Sequence, residues 1–354
     1  MKRRSGWRSM AEALGSALGP AALGPAAPSL LALAAAAAAV ILLSFASAEP
    51  STALRAFFVT PWSSAWFLGN MLDQAALLSV AALGVAIAFK AGTFNLGGEG
   101  QVYSGGLAAA AILAGNPALP GPAALALAGA AAVLAGSAMA AVPGILKARL
   151  GADEMIATFL LSAAVSPVAD FLIAGPLRDP DGSLLATVRF SGDRVLPRLM
   201  APSSLNASLF AALLLAFLAL VVLERGIMGF RLRAAGSSPS FARFAGIDSS
   251  RYWTPALAVS GGLHGLAGFF AVAGTYGICH QGFAGGLGWN AIAVALIARN
   301  SPAAILPAAL AYAWIRAGSD AALMSTDLSF ETASFVQAAV FLLVTARFFR
   351  GKRA

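Results

Sequence analysis

Long apolar runs, separated by short polar or glycine-rich breaks, occupy most of this chain. They fall at about 30–48, 69–89, 102–115, 122–146, 155–174, 204–223, 253–277, 287–298, 303–317 and 333–347. Segments of this length lack the ten-residue alternation of barrel strands. They predict helices, because backbone in hydrocarbon must satisfy its hydrogen bonds within the segment. The pattern therefore predicts an all-α fold, a polytopic transmembrane bundle of about ten spans. Several runs are short or interrupted by Gly and Pro, so broken or re-entrant helices are expected among them.

Composition supports lipid as the solvent. Of 354 residues, 59% are hydrophobic and 11% charged, against about 25% charged in an ordinary soluble domain. The net charge of +8 raises the question of nucleic acid, but the basic residues sit between apolar runs and at both termini and form no single patch. With ten spans and the N-terminus inside, 17 of the 23 Lys and Arg residues fall on the inner side and 6 on the outer. That bias predicts a multi-pass protein of the bacterial inner membrane with both termini cytoplasmic. The outer loop 176–203 fits least well. It carries Arg178, Arg189, Arg194 and Arg198, accompanied by Asp179, Asp181 and Asp193.

This reading gives three parts: an N-terminal cytoplasmic segment 1–28 with Lys2, Arg3, Arg4 and Arg8, a transmembrane domain 29–349, and a tail 350–354. Ala46-Ser47-Ala48 resembles a signal-peptidase site. The long leading segment and the closely following spans favour a retained anchor over a cleaved signal peptide. The lone Cys279 excludes an internal disulfide, and one cysteine with two histidines makes no closed zinc site.

Two segments carry candidate chemistry. From Phe89 to Gln101 the chain reads FKAGTFNLGGEGQ, polar and glycine-rich between two apolar runs. One reading is a broken helix facing partner helices or a wet pathway, where Glu99 is tolerated. The other is a cytoplasmic turn with Glu99 in water. The segment 225–252 is the longest basic inner loop. Ser237 or Ser238 can cap a short helix with Pro239 in its first turn, placing Phe241, Phe244 and Ala245 on one face. Such a helix suits docking into a protein groove or lying on anionic headgroups. Elsewhere, Gly261 and Gly265 predict close helix packing. His264 reads as a hydrogen-bonded interface residue, and the neighbours Cys279 and His280 as no catalytic pair. No G-x-x-x-x-G-K-[ST] loop occurs, and the spans hold no relay of Asp, Glu and His.

Phe94-Asn95-Leu96-Gly97-Gly98-Glu99-Gly100-Gln101 is similar to the Phe-Asn-Ile-Gly-x-Glu-Gly-Gln signature of the permease subunits of ABC importers for nucleosides and simple sugars, within the broader ribose and branched-chain amino-acid permease group. Residues 229–236 (GFRLRAAG) with 242–247 (ARFAGI) resemble that family's coupling segment. Residues 175–180 (GPLRDP) and 286–296 (GLGWNAIAVAL) resemble two further blocks. The similarity runs in order from about residue 70 to 345.

The resemblance implies a type II-like ABC importer permease. Its pathway would be lined near Phe94, Asn95, Glu99, Gln101, Trp289 and Asn290. Coupling to an ATPase would run through Arg231, Arg233, Gly236, Pro239, Arg243, Phe244 and Gly246. It also implies a second permease chain, a paralogue or a copy of this one, and an extracytoplasmic substrate-binding lipoprotein. The chain itself would bind no cofactor, with ATP and magnesium on the partner ATPase. Asp153 and Ser162 stand where the family tends to have Asn. The implied cargo is a nucleoside, a related ribosyl compound or a simple sugar. The competing classes are a self-contained secondary transporter and a membrane-embedded enzyme, the latter without a visible catalytic cluster.

Overall fold

The computed structural model describes residues 47–115 and 118–329, together with Ile41 and Ala338. The expected spans at 30–48 and 333–347, the segment 1–28 and the tail 350–354 lie essentially outside the described residues. Among the described residues the regular elements are helices, eleven in number: α1 (Pro50–Phe58), α2 (Ala65–Lys90), α3 (Gly98–Gly115), α4 (Gly121–Leu150), α5 (Glu154–Ala174), α6 (Ser208–Leu220), α7 (Ile227–Ser237), α8 (Pro239–Phe244), α9 (Ser250–Phe270), α10 (Leu287–Ile297) and α11 (Pro302–Ser325). Single π-turns extend α6 through Val221–Arg225 and α9 through Ala271–Tyr276. The fold is the all-α bundle that the apolar runs predict.

The expected count of ten spans is too high for what is described. Five helices are long and apolar enough to cross a membrane: Ala65–Lys90, Gly121–Leu150, Glu154–Ala174, Ser208–Arg225 and Ser250–Tyr276. α3, α10 and α11 occupy three other expected spans but are not of that kind. α3 opens on Gly98, Glu99, Gly100 and Gln101, and α11 carries Arg316, Ser319 and Asp320 in its second half. α10 has 11 residues, about 16 Å of helix, roughly half the hydrocarbon thickness.

The chain divides into two compact units, one of Thr60–Ala317 and one of Met1–Val59 with Gly318–Ala354. In the second unit, a Cβ on Gly318 would overlap the Phe57 carbonyl, and Asp327 accepts hydrogen bonds from the Ser47 hydroxyl (2.5 Å) and the Ala48 amide (3.1 Å).

In the larger unit α2 and α9 form the centre, with 78% of the most apolar stretch of each buried. In α4, α5 and α6 the figure is 22%, which leaves apolar faces for lipid. α9 packs on α4 backbone to backbone. Gly261 and Gly265 lie against Gly136 and Ala132, leaving no room for a Cβ, as the small-residue spacing predicts. Helix ends follow local chemistry. The Ser64 hydroxyl caps α2 by accepting from the Phe67 amide. Gly151, left-handed at φ 68°, ends α4, and the Asp153 carboxylate accepts from the Met155 and Ile156 amides to start α5.

In the loop 176–207 the structure accounts for one of the four arginines that fit the charge pattern least. Arg194 is buried and donates to the carbonyls of Leu113 (2.8 Å) and Leu119 (2.9 Å). It caps the end of α3, where carbonyls lack helical partners, so this arginine serves packing and says little about orientation. Nearby, Thr187 and Phe190 donate to the carbonyls of Cys279 and Gly277, tying the loop to the chain after α9.

Candidate functional site

Two interruptions of helix meet at the heart of the larger unit. Between α2 and α3, residues 91–97 are irregular; between the α9 π-turn and α10, residues 277–286 are irregular. The helices that follow, α3 and α10, touch at their N-termini, where a Cβ on Gly288 would overlap the Glu99 amide and the Gly98 carbonyl carbon. The Glu99 carboxylate spans the crossing. Oε1 accepts from the Gly286 amide at 2.8 Å and Oε2 from the Gly288 amide at 2.9 Å. The Trp289 amide faces the same carboxylate. A carboxylate on unpaired amides at a helix start is a charge-assisted contact that also meets the positive end of the helix dipole. Of the two readings of Glu99, the structure takes the one inside protein.

Residues 94–100, the irregular stretch and the first turn of α3, are held from the side by α5. Glu154 Oε1 accepts from the Phe94 amide (3.2 Å), Thr158 Oγ1 from the Leu96 amide (3.1 Å) and Ser162 Oγ from the Gly100 amide (2.8 Å). These three side chains recur every four residues on one helix face, so one edge of the broken segment is satisfied by a single stripe. Sequence reasoning did not identify that stripe, although Glu-x3-Thr-x3-Ser within an apolar helix is its visible signal. Ser162, noted as a departure from the family pattern, is buried on this contact, and Asp153 is the α5 cap. Lys147 pairs with Glu154 (2.6 Å) and lies 5.0 Å over the Trp253 ring.

Within the segment, Asn95 (0% exposed) and Gln101 exchange side-chain hydrogen bonds of 2.7 and 2.9 Å, and Asn95 also donates to Ser260 Oγ at 2.8 Å. Their polar groups are turned inward in this conformation. Phe94 (38% exposed) and Trp289 (42%) reach the surface instead, packed edge-on against Phe89 and Phe159 respectively. Asn290 accepts from the Tyr312 hydroxyl at 2.7 Å. His264 is fully buried beside Gly98. Its Nδ1 lies 2.8 Å from the Ser260 carbonyl and its Nε2 has no hydrogen-bond partner. Cys279 is buried and His280 bonds the Gln281 carbonyl.

The basic segment forms the hairpin α7–α8. The Ser238 hydroxyl accepts from the Phe241 amide, with Pro239 at the first helical position, as its sequence predicts. Phe241 (70% exposed) and Phe244 (93%) project outward, and Arg231, Arg243 and Gly246 are exposed around them. The hairpin is fixed to the start of the broken segment. Gly92 (φ 72°) and Gly236 meet backbone to backbone, and a Cβ on Gly236 would overlap the Lys90 carbonyl and the Gly92 amide. Lys90 pairs with Glu224 at 2.8 Å, Arg233 approaches Glu224 at 3.7 Å, and the Ser249 hydroxyl donates to the Ala235 carbonyl at 3.1 Å.

The larger unit is thus a helical bundle in which the starts of α3 and α10 meet through Glu99, with a basic hairpin packed on the segment that precedes α3. The chain belongs to the family described as branched-chain amino acid transport system / permease component, whose model matches residues 67–345. It is 37% identical over 309 residues to the probable riboflavin import permease protein RfuC of Treponema pallidum, covering 87% of this chain and 81% of that protein. It is 32% identical over 345 residues to the glucose ABC transporter permease protein TsgB13 of Haloferax volcanii, covering 94% and 90%. It is 29% identical over 297 residues to the guanosine ABC transporter permease protein NupP of Bacillus subtilis, covering 81% and 84%. No solved structure matches the chain.

Proposed function

We propose that this permease is the membrane subunit of an ATP-driven importer in the bacterial inner membrane, with both termini cytoplasmic. Its cargo is a small neutral polar solute: a nucleoside, a related ribosyl compound or a simple sugar. Relatives named for riboflavin, glucose and guanosine transport support that range. The observation that carries the reading is the joint at Gly92 and Gly236. The α7–α8 hairpin, with its two exposed phenylalanines, packs closely on the segment that leads to Glu99.

In this reading a separate ATPase, which binds ATP and magnesium, receives the α7–α8 hairpin in a groove, and this chain binds no cofactor. A second permease chain completes the pathway, and an extracytoplasmic lipoprotein delivers solute. Closure of the ATPase displaces α8. The joint passes the movement to residues 92–101, and the Glu99 contact passes it to α10. Phe94 and Trp289 present surface to solute, while Asn95 and Gln101 shape the segment behind them.

The test is reconstitution of the permease with and without its ATPase and binding protein. ATP-dependent uptake by the assembly, and none by the permease alone under an ion gradient, is the expected result. Uptake by the lone permease driven by an ion gradient sinks the proposal and favours a secondary transporter.

A further inference from the structure

Between α9 and α10, Ile278 to Gln281 pair with the loop 176–207. The Thr187 amide donates to the Cys279 carbonyl at 2.9 Å, and the Gln281 amide donates to the Leu185 carbonyl at 2.9 Å. The Cys279 amide donates to Thr187 Oγ1 at 3.2 Å, and Ala186 faces His280 as an antiparallel pair. Left-handed glycines flank this short ladder, Gly277 at φ 66° and Gly282 at φ 76°. Glycine changes backbone region without a side-chain penalty, so the ladder can turn as a unit at these two points.

Beyond Gly282 the chain is seated. The buried Phe283 ring packs on Tyr103 with centroids 5.0 Å apart and fills the space beside Gly106. Further on, Glu99 holds the Gly286 and Gly288 amides. The hinge itself is held by α5: the Gly282 amide donates to Asp170 Oδ1 at 3.1 Å, in an exposed position. The Tyr103 hydroxyl bonds the same carboxylate. Beside that bond a cleft of about 470 Å³ opens, lined by Pro167, Asp170, Phe171, Ala174, Gly175 and Gln281.

We infer that residues 185–187 and 278–281 form a flap hinged at Gly277 and Gly282, and that Asp170 is the positioning residue that latches it during transport. This rests on the importer reading above, in which an outer element moves when solute enters. Latched, the Asp170 carboxylate fixes the hinge at Gly282 to α5 and, through Tyr103, to α3. Released, the flap turns at its glycines, and the cleft beside Gln281 gives it room while Phe283 stays seated. The flap's outer half belongs to the loop 176–207, so a contact made on that loop acts on the latch. Cys279, the chain's only cysteine, is fully buried within the flap. A buried thiol reacts when its cover opens, at a rate that follows the open population.

The experiment follows N-ethylmaleimide addition to Cys279, read from the mass of its peptide, in proteoliposomes holding the complete transporter. Addition should be slow without nucleotide and about tenfold or more faster during ATP-driven uptake. Asp170→Ala should raise the nucleotide-free rate about tenfold, and Asp170→Asn, which keeps one acceptor, should raise it less. Asp153→Ala removes the cap at the other end of α5 and should leave the rate within about twofold of the unsubstituted protein. An Asp153→Ala rate equal to that of Asp170→Ala means general loosening of α5 and overturns the latch. So does an Asp170→Ala rate equal to that of the unsubstituted protein. ATP-driven uptake with unchanged Cys279 reactivity overturns the flap and leaves the importer reading intact. Ion-driven uptake by the lone permease sinks that reading separately, and the nucleotide-free comparison of the Asp170 variants still decides the latch.

Discussion

The carboxylate of Glu99 accepts the backbone amide of Gly288 at 2.9 Å, across a separation of 189 residues. This contact, with its twin at Gly286, joins the start of α3 to the start of α10 at a point where a Cβ has no room. It ties the polar first turn of α3 to the start of α10, a helix of 11 residues.

Replacing Glu99 tests that tie. Glu99→Gln keeps the shape but turns an amide NH₂ toward one backbone donor and removes the charge facing the α10 dipole. Partly buried charge-assisted bonds of this kind are worth about 1.5–3 kcal/mol each. Uptake should fall by about tenfold or more, and the detergent-solubilised variant should unfold at a lower temperature. Full retention of both uptake and thermal stability would contradict the assignment.

Gly236→Val drives a branched side chain into the Lys90 carbonyl and the Gly92 amide. Overpacking costs typically about 1–3 kcal/mol. The expected outcome is an assembly that still binds its ATPase, because the exposed face of α8 is untouched, but hydrolyses ATP with little solute movement. The ratio of transported solute to hydrolysed ATP reads this directly.

At the same joint, Lys90 and Glu224 allow a charge exchange. Their side chains are partly exposed, so the coupling should be modest, about 1 kcal/mol. Lys90→Glu and Glu224→Lys should each reduce uptake severalfold. The double variant should recover part of the loss, although Arg233 beside Glu224 limits the recovery. A double variant no better than the worse single one would remove the ion pair from the coupling route.

On α8, Phe244→Ala should weaken capture of the ATPase by about thirtyfold or more if it is a central anchor, a loss of about 2 kcal/mol or greater. Substrate-binding protein docking should be unchanged. Pull-down of the ATPase at graded concentrations measures the first, and binding-protein titration the second.

For Arg194→Met the effect should fall on stability. The substitution keeps an apolar stem but leaves the carbonyls of Leu113 and Leu119 without their charged donor, costing about 2–3 kcal/mol. A lower melting temperature with unchanged ATPase capture is the expected result.

Much of this was legible along the chain. The apolar runs gave the helices, since a helix must satisfy its own backbone in lipid whatever its neighbours are. Ser238 and Pro239 announced α8, because capping acts within one turn. The glycines and polar residues of 89–101 marked where the helix breaks, and Gly261 with Gly265 marked a close-packed face.

Position alone left open where each broken end would go, because partners nearly two hundred residues apart leave no local trace. Folding decided that Glu99 meets the amides of α10, that Glu154, Thr158 and Ser162 serve residues 94–100, and that Arg194 caps α3. It also turned Asn95 and Gln101 inward onto each other. The physical reason is the same throughout: backbone periodicity and caps are satisfied locally, whereas the polar groups freed by a helix break must find partners wherever the bundle brings them.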